Sequence, residues 1–301
     1  MTEENEKLII EYERNSFRKL KNQENLNKDI KLNRDILFTS DFIFEEYPSD
    51  GDSGKLYLAT CKYNENERYI VKHEYYDCCC NEFMYSKLGN KMGIKIAPVK
   101  LFIVDDRDDL FLSDFVCGVK YYENAKPVSF SKIENEVINN YEDYYKMCSL
   151  EYLFEEGDGI EIIEHDNLIY RIDTTAAFTI SDFFIHELAY DYNKNGIDIR
   201  KTATNNILHQ ATGNKEHRFS LWKIGYEDFV KEYGVEKSNY FLEPFEFIQK
   251  IKKQDIKNWT STLTIIYPDV IGEYFEIYIE DLKKDAKTFL EEVKKQELVT
   301  T

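Results

Sequence analysis

Between residues 35 and 118, apolar and polar positions follow the pattern expected of short strands. Three segments, 36–47, 55–63 and 68–76, are rich in Ile, Val, Leu, Tyr and Phe and are separated by clusters of turn-forming residues. Strands of this composition, joined by short polar turns, are typical of an antiparallel meander. We therefore predict that this part of the chain opens with antiparallel strands.

A helical pattern interrupts these strands. The segment NEFMYSKLGNKMGI, residues 81–94, places its apolar residues at helical spacing, and Gly93 near its end is a typical helix stop. Two further strand candidates follow at 98–105 and 109–118. Strands, one helix and more strands predict a compact α+β unit.

Beyond Gly118 the pattern is mainly helical. Residues 131–156 are predicted to form an aromatic-rich helix, and residues 160–173 a hairpin that turns at Asp166 and Asn167. The clearest helical stripe runs from Leu282 to Val293, with Lys and Glu on the opposite face. We expect helices to dominate this region.

The composition narrows the partners that the protein could bind. The 301 residues contain 39 Lys and Arg against 57 Asp and Glu, a net charge of −18. Such acidity opposes non-specific binding to nucleic acid or to anionic membranes, and it favours a basic partner, such as a basic substrate protein. The sequence has no apolar run long enough to cross a bilayer, and its start, MTEENEKLII, lacks the features of a signal peptide. We expect a cytoplasmic protein.

The stretch GDSGKLYLAT, residues 51–60, allows three interpretations. A trypsin-like protease would need its histidine before Ser53, but the first histidine is His73. A phosphate-binding loop of the G-x-x-x-x-G-K-[ST] type would need glycine where Ser49 stands and a hydroxyl where Leu56 stands. A glycine turn between two strands is the interpretation that remains.

Lys72 is the most informative charged residue of the predicted strands. It follows the apolar residues Ile70 and Val71, so it belongs to a strand that is otherwise buried. Burying an ammonium group is costly unless an anion meets it, and Glu82 lies ten residues on, at the start of the predicted helix. A Lys72–Glu82 ion pair would balance the charge and leave the lysine able to reach phosphate oxygens. The alternative is a lysine that extends to solvent at the edge of the sheet.

The ordered motifs GDSGK, YIVK, NEFMYSKLGNKMGI, FLSDFVCGVK and YRIDTTAAF resemble those of HipA-like bacterial serine/threonine kinases and related lipid-kinase-like proteins. The resemblance covers roughly residues 48–180. It implies an α+β, two-lobed, protein-kinase-like fold with a β-rich small lobe at 35–118 and a mainly helical large lobe at 119–301. The highly charged residues 1–34 would form a helix or arm in front of the small lobe.

The resemblance also implies ATP and Mg²⁺ as cofactors and assigns roles to individual residues. The residues that it places over the ATP phosphates are Gly51, Ser53, Gly54 and Lys55. Lys72 would contact the α and β phosphates, Glu82 would orient Lys72, and Asp173 would hold Mg²⁺. The adenine hinge would be Phe115, Val116, Cys117 and Gly118.

The sequence departs from the family in the segment that carries the chemistry. A family member should have a catalytic aspartate followed by an asparagine for metal. In LEYLFEEGDGIEIIEHDNLIYRID, residues 150–173, Asp158 is the one aspartate before the hairpin strand, with no asparagine between them. Glu155 and Glu156 could substitute as proton acceptor or metal ligand, although a longer side chain displaces the carboxylate. Three functions stay open: a kinase for a protein or small-molecule hydroxyl with Asp158 as base, a pseudokinase that acts as a binding module, and an enzyme that transfers AMP.

Overall fold

The computed structural model of the protein describes residues 33–48, 55–72, 76–107, 110–111, 115–156, 159–179, 215–267 and 269–300. Within these ranges the chain forms nine strands and seven α-helices. The strands are β1 (Ile36–Phe38), β2 (Phe42–Tyr47), β3 (Leu56–Cys61), β4 (Asn64–Lys72), β5 (Val99–Ile103), β6 (Phe115–Lys120), β7 (Lys126–Pro127), β8 (Glu161–His165) and β9 (Leu168–Ile172). The helices are α1 (Tyr76–Lys91), α2 (Phe130–Glu134), α3 (Tyr141–Leu153), α4 (Lys215–Tyr233), α5 (Ser238–Lys250), α6 (Lys253–Ile266) and α7 (Asp269–Thr300).

Six strands form one sheet in the order β1-β5-β6-β4-β3-β2. β1 pairs with β5 in parallel, and every other neighbouring pair is antiparallel. The first strand and the last strand in this order are joined by the 3-10 turn Thr39–Asp41 alone. Because three residues connect its two edges, the sheet must curl strongly. The predicted strand at 36–47 is therefore two strands, which the turn divides.

The two faces of the curled sheet bury different sets of residues. The inner face holds an aromatic cluster in which the ring of Phe102 contacts the rings of Phe42 and Tyr69, with centroids 5.1 and 5.6 Å apart. The outer face of β5 and β6 packs against α1. Strand alternation places Tyr69 and Val71 inside the curl and turns Lys72 toward the face that α1 covers.

α1 is the helix predicted within the strands, but it begins earlier than predicted, at Tyr76, and ends at Lys91. Gly93 follows with φ of +85°, a left-handed conformation that glycine adopts readily, which confirms it as the helix stop. The apolar residues Phe83, Met84 and Leu88 are fully buried. They fix the helix between the sheet and the helical part of the molecule.

The helical part begins with a correction to the sequence prediction. The helix predicted at 131–156 is two helices, α2 and α3, and between them Glu136 has φ of 55°, which interrupts a helix. The hairpin predicted at 160–173 is confirmed as β8 and β9. Its turn residues Asp166 and Asn167 have φ of 51° and 59°, as a two-residue hairpin turn requires.

One hydrophobic core joins the sheet to the helices. It contains residues of β5, β6 and α1 together with residues of α3, α4, α5, α6 and α7. α5 packs against α3 and α7, and α6 packs against α7. No helix in the described part of the chain is long and apolar enough to span a bilayer.

Candidate functional site

Lys72 lies at the end of β4 and is buried, with 7% of its surface exposed. Its Nζ atom is 3.0 Å from Oε1 of Glu82 and 2.8 Å from Oδ1 of Asp173. The predicted Lys72–Glu82 ion pair is thus present, and the lysine does not extend to solvent. The three residues come from a strand, a helix and the segment after the β8–β9 hairpin.

Glu82 is held by α1 and by the neighbouring strand. It is 1% exposed, and its second carboxylate oxygen, Oε2, accepts a hydrogen bond from the Cys117 thiol at 3.2 Å. Cys117 reaches it because β6 pairs with β4 in a register that puts Cys117 opposite Lys72. One oxygen of Glu82 therefore faces the thiol and the other faces the ammonium group, which fixes the carboxylate between α1 and the sheet.

Asp173 follows β9 directly and has φ of 54°, a conformation that few residues other than glycine adopt. The chain after it is anchored at several points. Asn81 donates from its side chain to the carbonyl of Thr175 at 2.8 Å, and the fully buried Phe178 donates its N–H to the carbonyl of Phe154 at 2.7 Å. This packing over-determines a backbone conformation that would otherwise be unfavourable.

The position of β9 is fixed by Arg171, which is fully buried. Its backbone bonds to residues on both sides of Ile96, with Arg171 N donating to Lys95 O at 3.0 Å and Ala97 N donating to Arg171 O at 2.9 Å. Its guanidinium forms an ion pair with Glu151 and lies 4.8 Å from the ring centroid of Tyr85 on α1. β9, α1 and α3 are thereby held together, and Asp173 is brought to Lys72.

The electrostatics of this site determine which ligands it suits. One ammonium group lies between two carboxylates, of which Glu82 is buried and Asp173 is 33% exposed at its side chain. With this excess of negative charge, an anion such as a phosphate would need a cation beside it. A divalent ion bound through oxygen ligands would neutralise both Asp173 and a phosphate, and Mg²⁺ prefers one or two carboxylates together with phosphate oxygens. Asp173, whose carboxylate is the more exposed of the two, is the residue of this site that could hold such an ion.

Comparison with known proteins identifies the architecture. No protein-family model matches the sequence, and no curated protein sequence matches it. Among solved structures, the chain is similar to the crystal structure of a Helicobacter pylori proinflammatory kinase CtkA, at 14% sequence identity and a TM-score of 0.50. The alignment covers 83% of this chain and 97% of that one. The fold is kinase-like.

Within the kinase-like fold, the predicted hinge residues lie in a strand. Phe115, Val116 and Cys117 belong to β6, which continues to Lys120, and Cys117 pairs with β5 on one side and with β4 on the other. Gly118 has a packing role, because a Cβ atom there would lie 2.5 Å from the Phe102 ring. The chain leaves the sheet after Lys120, later than the prediction placed the hinge.

The predicted phosphate loop is described in part. Gly51, Ser53 and Gly54 lie outside the described residues, whereas Lys55 is exposed and forms an ion pair with Glu46 at 3.6 Å. Leu56, which follows Lys55, pairs with Lys72 across the sheet. Lys55 thus lies at the end of the sheet that carries Lys72, and its contact with phosphate stays a prediction.

The predicted catalytic base, Asp158, lies outside the described residues. Of the two proposed substitutes, Glu155 has φ of 55° and pairs with Arg218 of α4 at 3.2 Å. Glu156 is buried, with 9% of its surface exposed. The Arg218 guanidinium, itself 1% exposed, also binds Asp285 of α7 at 2.7 Å. Glu155 is thus engaged in an ion pair that ties the segment to α4 and α7.

Two contacts around this site were not predicted from the sequence, that of Cys117 with Glu82 and that of Arg171 with Glu151. The Cys117 thiol was assigned to a hinge, and nothing in its local pattern indicates that it contacts Glu82 across the sheet. Arg171 carried a usable signal, since it follows Ile169 at strand period and both are buried. Like Lys72, Arg171 is a cation in a buried strand position, and such a cation needs an acidic partner.

Proposed function

We propose that the protein binds ATP with Mg²⁺ beside Lys72 and transfers the terminal phosphoryl group to a hydroxyl of a protein or small molecule. The observation that carries the proposal is the contact of Lys72 with both Glu82 and Asp173, at 3.0 and 2.8 Å. A kinase-like fold needs a cation and a metal-binding carboxylate on either side of the phosphates, since phosphoryl transfer depends on positioning and on charge neutralisation.

Each residue has a distinct part in this reaction. Lys72 would contact oxygens of the α and β phosphates, while Glu82 keeps the ammonium group in place. Asp173 would hold Mg²⁺, which would supply positive charge to neutralise the phosphates. Asp158 accepts the proton of the acceptor hydroxyl, whose oxygen forms the new bond to the γ phosphorus as the bond to the β phosphate oxygen breaks and ADP leaves.

The adenine is proposed to lie where the chain leaves the sheet, between Tyr121 and Ala125. The support is the two-sided pairing of Cys117 and Gly118, whose backbone groups already belong to the ladder. The more specific resemblance to HipA-like kinases, with Gly51, Ser53, Gly54 and Lys55 over the phosphates, belongs to this proposal as well.

A pseudokinase is the second candidate, and one observation favours it. The carboxylate of Glu155 is held by Arg218, and the sequence from Phe154 to Ile160 contains no asparagine for a second metal contact. A protein of this kind would bind the nucleotide and respond to it without transferring phosphate. Binding and transfer must therefore be measured separately.

Thermal unfolding with ATP tests the binding step. Saturation at a hundred times the dissociation constant stabilises a protein by about 2.7 kcal/mol, so the unfolding temperature of the wild type should rise with ATP and Mg²⁺. Lys72→Ala should lose the shift with or without Mg²⁺, whereas Asp173→Asn should lose the part that depends on Mg²⁺. Lys126→Ala, which removes an exposed lysine of β7, is the matched control and should keep the full shift. An unshifted wild type would refute the proposal.

Transfer of the γ phosphate tests the catalytic step. The wild type, incubated with γ-labelled ATP and a protein acceptor, should incorporate label, and Asp158→Asn should reduce incorporation by about a hundredfold or more, in line with the loss of a general base. Nucleotide binding without incorporation would favour the pseudokinase.

A further inference from the structure

A concave site lies on the helical part of the molecule, beside residues that flank the proposed catalytic base in the sequence. It is a cavity of about 610 Å³ between α3, α4 and the four described residues Glu155, Glu156, Gly159 and Ile160. This volume is within the range of small-molecule and cofactor sites, about 300 to 1,000 Å³. None of the residues assigned to the Lys72 site lines it.

The chemistry of the lining is strongly one-sided. Of the fifteen described residues that line it, five are Asp or Glu, one is His217 and none is Lys or Arg. Two of the five carboxylates, those of Glu151 and Glu155, form ion pairs with arginines that do not line the cavity, Arg171 and Arg218. Asp228 and Glu232, exposed one turn apart on α4, form no ion pair with any described residue. They are the carboxylates that an entering cation would meet.

Aromatic rings supply the apolar surface of the same cavity. Tyr144, Tyr152, Phe229 and Tyr233 line it, and Gly225 allows one of them to approach, since a Cβ atom at Gly225 would lie 2.5 Å from the Tyr152 ring. Aromatic faces attract cations, and they stack on the planar guanidinium group in particular. Carboxylates beside rings therefore suit an arginine side chain better than a compact ammonium ion.

The negative charge around the cavity contributes to raised pKa values of two groups in its lining. The pKa of the Cys148 thiol is raised to about 12, by burial first and then by Glu151, with Glu232 contributing. The pKa of Tyr152 is raised by burial first and then by Asp228, with Glu151 and Glu232 also contributing. A bound cation would relieve this accumulation of negative charge.

The position of the cavity indicates what carries the cation. Asp158 falls in the sequence between Glu156 and Gly159, both of which line the cavity. If Asp158 accepts the proton of the substrate hydroxyl, a chain bearing that hydroxyl must pass this opening. We infer that the cavity binds an arginine side chain of a basic segment in a protein substrate. That the bound protein is a substrate rests on the proposed kinase function, whereas the binding itself requires no nucleotide.

Peptide binding without ATP or Mg²⁺ tests the inference. The probe is a fluorescent peptide of arginine, glycine and serine, compared by anisotropy with the same peptide in which citrulline, the neutral counterpart, replaces arginine. The arginine peptide should bind and the citrulline peptide should bind at least tenfold more weakly. Equal binding of the two peptides, or binding of neither, would overturn the inference.

Matched variants of α4 locate the binding. Asp228→Asn combined with Glu232→Gln should weaken binding of the arginine peptide about tenfold, in line with two partly exposed ion pairs. Glu216→Gln combined with Glu227→Gln removes the same charge from exposed positions of the same helix that do not line the cavity, and binding should be unchanged. Both double variants should unfold at the wild-type temperature. Equal losses of binding in the two variants would show that the peptide responds to the overall negative charge of the protein, and would overturn the inference.

Two further measurements distinguish a protein-borne cation from a small-molecule cation, and the peptide-binding inference from the kinase proposal. Free arginine and spermidine should compete only at concentrations at least a hundredfold above the peptide, whereas competition at equal concentration would identify a small-molecule site and overturn the protein assignment. Failure of ATP to stabilise the protein would refute the kinase proposal. The peptide-binding inference would still be decided by the anisotropy measurement alone.

Discussion

At the scale of single residues, Lys72 is the group whose environment most constrains the function. Its ammonium group is buried between a fully buried carboxylate and a partly exposed one. Removing one member of a buried ion pair leaves an uncompensated charge, whereas replacing both by apolar residues of similar size removes the charge problem altogether. The pair can therefore be tested by stability as well as by nucleotide binding.

Lys72→Met should lower the free energy of unfolding by about 3 to 5 kcal/mol, because Glu82 stays buried without its cation. The double variant Lys72→Met with Glu82→Leu should be more stable than Lys72→Met alone, which is the signature of a coupled pair in a double-mutant cycle. Urea unfolding followed by circular dichroism measures both values. Lys126→Met, at an exposed position, is the control. Strictly additive losses would contradict the pair.

The sequence predicted this pair because its two members are ten residues apart and each follows a local period. Lys72 stands in a strand pattern and Glu82 at the start of a helical pattern, so their meeting needed no long-range information. Asp173 was placed beside them by a motif resemblance. The contact between Cys117 and Glu82 depends on the register of β6 against β4, which no local pattern encodes.

At the scale of elements, the sequence predicted the kinds of element better than their ends. The break between α2 and α3 follows from the backbone of Glu136, a residue type with no special signal for a left-handed conformation. β6 runs to Lys120 because β4 continues beside it and pairs Tyr69 with Lys120, so tertiary pairing sets the end of this strand. The cavity could not be predicted, since α3 and α4 are more than sixty residues apart.

β1 is joined to α1 and β5 through one carboxylate. Asp35, just before β1, binds Lys87 of α1 at 2.6 Å and Lys100 of β5 at 2.8 Å. Burial alone would raise the pKa of Asp35, but the hydrogen bonds and charges of Lys100 and Lys87 outweigh it and hold the pKa below its ordinary value of 3.8. Burial lowers the pKa of Lys87, although its hydrogen bond and ion pair with Asp35 act in the opposite direction.

The sign of the resulting pH dependence follows from the lowered pKa. The unfolded chain binds a proton at Asp35 more readily than the folded chain, so this residue contributes stability above pH 3.8, and the contribution is lost as the pH falls through the folded-state pKa. Asp35→Asn should reduce the unfolding free energy by about 2 kcal/mol at neutral pH. The difference from wild type should shrink as the pH falls below 3.8, the ordinary pKa of an aspartate. Urea titrations at neutral pH and below pH 3.8 measure it, with the exposed Glu65→Gln as control. A constant difference would contradict the assignment.

At the scale of the whole molecule, the sheet and the helices share a core. Residues of α1, such as Phe83 and Leu88, belong to the same buried cluster as residues of α3 and α7. The Phe115 ring lies 5.6 Å from the ring of Tyr267, and the side chain of Asn33 donates to Thr262 at 3.1 Å. The boundary predicted at residue 118 thus separates two lobes that are packed on each other, and the site at Lys72 depends on both.

This packing predicts that residues 119–301 do not fold alone. The fragment keeps Arg171 but loses the Tyr85 ring and the backbone partners Lys95 and Ala97, so a buried guanidinium would lose part of its surroundings and much of the core would be open to water. Both tryptophans lie in the fragment, and Trp222 is fully buried in the intact chain. Tryptophan emission of the fragment should therefore be shifted to the red, without a cooperative urea transition. Adding a separately expressed 33–118 fragment should restore the emission of the intact chain, because it returns α1 and the sheet to the shared core. Native emission and a cooperative transition in the 119–301 fragment alone would show that the helical lobe is an independent folding unit.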